Sequence, residues 1–153
     1  MNKKCEEFTN LDELTVELGK LGQVSPLPSL NEYETYLDLN ERIIYIDFDI
    51  DDTLIEYSRR IIRWNRQDKD IPIEERKPIK VLVNSYGGSL DACLHFIDTL
   101  LLSKTPVYTY NVGVAMSAGF YIMLAGSQRF AYPNAQFLIH SGSGGAAGTY
   151  EQS

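Results

Sequence analysis

From Arg42 onward, short apolar runs alternate with longer stretches in which apolar positions recur every three or four residues. RIIYIDF (42–48) predicts a short strand. DIDDTLIEYSRRIIRW (49–64) predicts a helix, with Asp52 or Thr53 as N-cap and Glu56 completing a capping box. Its apolar face would carry Leu54, Tyr57, Ile61 and Trp64. The charged, proline-bearing QDKDIPIEERKP (67–78) reads as a surface loop. IKVLVNS (79–85) reads as a buried strand, and SLDACLHFIDTLLLS (89–103) as a helix with Leu90, Leu94, Ile97 and Leu101 facing inward. PVYTYNVG (106–113) predicts a strand, SAGFYIMLAG (117–126) a short helix, and AQFLIHS (135–141) a further strand. Strands alternating with helices imply an α/β domain with largely parallel pairing.

Residues 1–30 break this pattern. Leu11, Leu14 and Leu18 stand at helical spacing, and VSPLPSL then interrupts any helix with two prolines. The expected organisation is an N-terminal arm or short helix plus linker over 1–30, followed by one domain over 31–153.

Composition narrows the class of function. At 153 residues and 44% apolar, the chain suits one core. A net charge of −7 argues against nucleic acid or an anionic membrane surface as partner, since both need a basic face. No apolar run reaches the roughly 18–20 residues of a membrane span. MNKKCEEFTN has no apolar stretch after its lysines, unlike a secretory signal. Cys5 and Cys93 supply neither a disulfide framework nor paired metal-ligand spacing. The expected setting is cytoplasmic and reducing, with no metal.

Two loops carry the candidate chemistry, both at the carboxyl ends of predicted strands, where parallel α/β sheets bind ligands. After IKVLVNS come Tyr86, Gly87, Gly88 and Ser89. A Gly-Gly turn entering a helix can aim backbone N–H groups at a negative oxygen, or can simply serve a tight turn. After VYTYNVG comes Ser117, between Met116 and Ala118 and just ahead of Gly119. A serine there is either a helix cap or a nucleophile approached across small neighbours. The α/β-hydrolase elbow is excluded, because it needs glycine two places before the serine and Ala115 stands there. His140 ends an apolar strand ahead of the glycine-rich SGSGGAAG. Together these residues could supply nucleophile, base and oxyanion donors for acyl transfer. His95 is the competing base, but Asp91 one helical turn before it explains it as a surface pair.

ERIIYID, VNSYGGSLDACLHFIDTL, VGVAMSAGFYIMLAG and PNAQFLIH occur in the order and at the spacing of the ClpP-type (caseinolytic) serine proteases. The chain resembles that family from about Leu37 to Gly148. The resemblance implies an α/β fold of stacked β-β-α units, shared with crotonase-like enzymes. It places Ser117 as nucleophile, His140 as general base, and the Gly88 and Ala118 amides as the oxyanion hole. The glycine-rich stretch with Gly144, Gly145 and Ala146 would bind the substrate backbone by edge pairing. It further implies homo-oligomeric rings, stacked heptamers in the full-length protein, which degrade polypeptides delivered by an ATP-driven unfoldase. No cofactor is implied, since the partner would use the ATP.

Three departures mark a divergent branch: Tyr86 where the family has proline, Ser141-Gly142 where it has x-Pro after the histidine, and Ala118 where it has methionine. The family's triad aspartate follows a helical handle segment, and the expectation is that both lie beyond Ser153. Two other readings remain: a non-catalytic ring subunit of the same fold, and a crotonase-type acyl-CoA enzyme, which would not need Ser117 and His140 so placed.

Overall fold

A computed structural model describes residues 29–141. The helix expected over 11–22 and the glycine-rich stretch of Gly144, Gly145 and Ala146 lie outside the described residues. Contacts divide the chain after Thr35. The first unit is described by Ser29–Thr35, where helix α1 (Leu30–Glu41) begins. The helix begins where the expected linker ends, in a stretch to which no element is assigned from the sequence, and a capping box starts it. The Ser29 hydroxyl accepts from the Glu32 N–H at 3.3 Å, and the Glu32 carboxylate accepts from the Ser29 N–H at 2.7 Å.

From Tyr36 onward the chain forms β1 (Ile43–Ile46), α2 (Leu54–Gln67), a 3-10 turn (Ile73–Glu75), β2 (Ile79–Ser85), α3 (Leu90–Leu102), β3 (Val107–Met116), α4 (Ala118–Leu124), β4 (Gln128–Ala131) and β5 (Gln136–Leu138). Strand order is β1-β2-β3-β4, with β5 also on β3. All these pairings are parallel, as the alternation of elements predicts. The four-residue strand QRFA carries no alternation of its own and was not foreseen.

Alternate positions of the strands set the core. Ile44, Ile46, Ile79, Val81 and Val83 are buried and pack in one cluster with Leu54, Ile61 and Trp64 of α2, Phe96 and Leu100 of α3, and Ile122 of α4. The expected faces need two corrections. In α2, Ser58 is buried and Tyr57 only half-buried, stacking on Phe48 at 5.8 Å between ring centroids. In α3 the inward residues are Ala92, Cys93, Phe96 and Leu100, whereas Leu90, Leu94 and Leu101 are exposed and Ile97 is half-buried. That helix is apolar on two faces. The sheet takes the face whose small Ala92 and Cys93 allow close approach, leaving the leucines outside.

The expected capping box of α2 does not form. Thr53 is the N-cap without a side-chain cap bond, and Glu56 instead pairs with Arg59 at 2.6 Å. Asp51 accepts from the Thr53 N–H, and this carboxylate-to-backbone bond takes over the opening of the helix.

A register break positions the candidate site. β2 pairs with β3 regularly from Ile79↔Val107 to Val83↔Asn111, then jumps to Ser85↔Ala115. The Asn84 side chain enters this bulge and accepts from the Val114 N–H at 3.1 Å. It fits because residue 113 is glycine: a Cβ there would lie 2.4 Å from the Asn84 carbonyl oxygen. Before the bulge β3 pairs with β4, after it with β5. The exchange of partner carries the end of β3 toward Ser117 with β5 alongside.

Candidate active site

Ser117 links β3 directly to α4 and has φ 51° and ψ −121°, a conformation that costs a non-glycine residue on the order of 1–3 kcal/mol. Although Ser117 occupies the N-cap position, its hydroxyl makes no capping bond. The cap reading therefore fails. Ser117 is half-buried, and its hydroxyl makes no hydrogen bond among the described residues. Its backbone N–H is taken by Leu138 O at 2.9 Å, which extends the β3–β5 ladder by one step.

The Gly-Gly turn meets Ser117 at close range. Gly87 has φ 110° and Gly88 φ 147°, so both sit where L side chains are strained. Space excludes side chains as well. A Cβ on Gly87 would fall 2.8 Å from the Ser117 Cβ and 3.2 Å from the Ala118 nitrogen, and one on Gly88 would fall 2.2 Å from Ile50 O. Ile50 clamps the turn as a single parallel bridge, donating to Gly87 O at 2.8 Å and accepting from the Ser89 N–H at 2.7 Å. Ser89 then caps α3 by accepting from Ala92 N–H. Among the described residues, the Gly88 and Ala118 amides find no acceptor in these turns. Among the described residues, the turn that carries the Ser117 hydroxyl thus brings together two backbone donors without acceptors.

His140 lies two residues past Leu138, whose register partner is Met116, so the ladder brings its backbone beside the Ser117 turn. The imidazole Nδ1 lies 2.9 Å from Ser141 O. A carbonyl only accepts, so this contact puts the proton on Nδ1 and leaves the Nε2 lone pair available. His140 is exposed, and it makes no hydrogen bond to Ser117 or to an acidic side chain among the described residues.

His95 is exposed on α3 and lines a small cavity of about 270 Å³ with Asp52, Ser58 and Phe96, among others, sharing no lining residue with the Ser117 turn. The expected pair with Asp91 is not formed among the described residues.

One contact was not foreseen. Buried Cys93 donates its thiol to Ala118 O at 3.2 Å, and burial pushes that thiol up to about 11, so it stays protonated. It is a tie between α3 and α4, inert as a nucleophile. No group of three or more His, Cys, Asp or Glu side chains able to hold a metal occurs among the described residues, and no helix there is long and apolar enough to cross a membrane.

Residues 30–152 match the family model described as Clp protease. The chain is 36% identical over 113 residues to the ATP-dependent Clp protease proteolytic subunit 3 of Streptomyces avermitilis, a match covering 72% of this chain and 49% of the relative. The same values hold for proteolytic subunit 1 of Streptomyces coelicolor. Proteolytic subunit 2 of Mycolicibacterium paratuberculosis is 32% identical over 130 residues, covering 82% of this chain and 62% of its own length. The chain thus spans about half the length of the first two curated relatives. With four sequence blocks in family order, a parallel α/β sheet and a family match over most of its length, this chain belongs to the Clp protease family and has its ClpP/crotonase-like fold.

Proposed function

We propose that this chain is the proteolytic subunit of a ClpP-type serine peptidase, with Ser117 as nucleophile and His140 as general base. The observation that carries this reading is the meeting of the Gly87-Gly88 turn with a strained Ser117 whose hydroxyl does not cap its helix. The Ser117 oxygen attacks the scissile carbonyl carbon while Nε2 of His140 takes the hydroxyl proton. The carbonyl oxygen becomes an oxyanion between the Gly88 and Ala118 amides. Collapse expels the amine with the proton held by His140, and water repeats the sequence on the acyl-enzyme. The Nδ1–H bond to Ser141 O supports the tautomer that this role requires. Backbone pairing along Gly144, Gly145 and Ala146 would hold the polypeptide with little side-chain selectivity.

The assembly is a homo-oligomeric ring, with stacked heptamers as the specific form, working in the cytoplasm with an ATP-driven unfoldase. The exposed Leu90, Leu94 and Leu101, which join Tyr121 and Leu124 around an apolar groove of about 360 Å³, favour association over an isolated subunit. Replacing Ser117 with Ala tests the reading. Hydrolysis of a short fluorogenic peptide should be abolished while the melting temperature is kept, and cleavage at the wild-type rate would overturn it.

A further inference from the structure

Catalysis at Ser117 depends on the orientation of one peptide plane, that between Gly87 and Gly88. In a trans peptide the C=O and the following N–H point in opposite directions. The Gly87 carbonyl is held by the Ile50 N–H at 2.8 Å, so the Gly88 N–H is directed away from Ile50 and has no acceptor among the described residues. Glycines at φ 110° and 147° do not secure that orientation themselves, because glycine reaches both signs of φ with little cost. The Ile50 bond holds the carbonyl end of the plane, and a second contact is needed to fix Gly87 itself.

Ser85 is in position to do so. It is 2% exposed, and its hydroxyl donates to Phe48 O at 2.7 Å and accepts from the Gly87 N–H at 3.2 Å. The first bond fixes the loop that carries Ile50. The second fixes the near side of Gly87 itself. The same residue also abuts the nucleophile's helix: a Cβ on Gly119 would lie 3.1 Å from Ser85 O and 3.5 Å from its Cβ. We propose that Ser85 is a positioning residue for the oxyanion hole, its hydroxyl bridging Phe48 and Gly87 so that the Gly88 N–H stays turned toward the reacting carbonyl. The proposal rests on the protease reading above. Alanine at 85 would leave the Phe48 carbonyl and the Gly87 N–H without their shared partner, and the Gly87–Gly88 peptide held by the Ile50 bond alone.

The test uses the full-length protein and a short fluorogenic peptide, with Ser117→Ala run in parallel. Ser85→Ala should lower kcat by about 10- to 100-fold, somewhat less than deleting an oxyanion donor outright, with KM changed less than about 2-fold. Affinity for a peptidyl boronate, whose tetrahedral adduct uses the same amides, should fall by the same factor. Ser85→Thr, which keeps the hydroxyl, should restore most of kcat. If Ser85→Ala does not fold, Ser85→Cys takes its place, with the same split expected from its weaker hydrogen bonding. A folded variant with unchanged kcat, a loss carried by KM, or equal damage from Ala and Thr overturns the role of Ser85 while leaving the protease reading intact. Full activity of Ser117→Ala overturns that reading instead.

Discussion

Two non-glycine residues of the described chain have positive φ, and they are used in opposite ways. Arg42, at 56°, joins α1 to β1, and its guanidinium grips the buried Asp68 with two hydrogen bonds. Thr105 donates to the same carboxylate at 2.8 Å, and Arg42 also donates to Lys77 O. Every donor aimed at Asp68 is satisfied. Ser117, at 51°, joins β3 to α4, and among the described residues its hydroxyl is uncommitted and two neighbouring amides lack acceptors. Strain closed by a full set of partners supports a fold. Strain beside unspent donors supports chemistry.

The comparison breaks most visibly at the base. His140→Ala should cost on the order of 10⁴-fold or more in kcat, as loss of the histidine does in other triads. His95→Ala should stay near wild type in the same peptide assay. A dead His95 variant beside an active His140 variant would relocate the base to α3. Next comes the oxyanion turn. Gly88→Ala forces a methyl group against Ile50 O, 2.2 Å from where the new Cβ would sit, and should lower kcat by about 10²- to 10³-fold. Equal activity would remove Gly88 from the site.

At the other pole, Arg42→Ala strips a buried carboxylate of its partner and should destabilise the protein by about 3–5 kcal/mol in denaturant unfolding. No gain of chemistry is expected there. The sign of the pH dependence follows from Asp68. The Arg42 hydrogen bond, aided by Thr105 and opposed by burial, holds this carboxyl below its ordinary 3.8. The unfolded chain therefore binds the proton first. The pair's contribution is complete above about 3.8 and is lost as pH falls through the lower folded value. Acid unfolding of Arg42→Ala should lack this component. The smallest effect expected is at Ser89, where replacement by Ala removes the α3 cap and about 1 kcal/mol of stability.

Much of this was legible in the residues because the signals are local. IKVLVNS is a strand from Ile79 to Ser85 as its apolar run predicts, and the Gly-Gly pair marks a turn with positive φ at both residues. Tertiary competition defeated the rest. In α3 the large leucines suggested the inward face, yet the sheet selected Ala92, Cys93 and Phe96, a choice visible only once the opposing surface is known. The bulge at Gly113 depends on the Asn84 side chain from a neighbouring strand, so β3 runs three residues past its predicted end. Ser29 and Glu32 spell a capping box for helix α1, but Pro26 and Pro28 just before it give the stronger local signal of a linker. At the candidate site, motif order proposes Ser117 and Gly88, and the structure brings the Gly87-Gly88 turn against Ser117. That the hydroxyl caps nothing, and that Ser85 bridges Phe48 to Gly87, are facts of packing.

The central claim is that the Ser117 hydroxyl is an activated nucleophile rather than a helix cap. A fluorophosphonate probe, which is attacked by such a hydroxyl and retained as a covalent adduct, tests it most directly on the assembled full-length protein. The adduct should map by mass spectrometry to the peptide containing Ser117, and it should vanish in Ser117→Ala and in His140→Ala. A fully folded protein that takes no label, or takes it at another serine, would contradict the account.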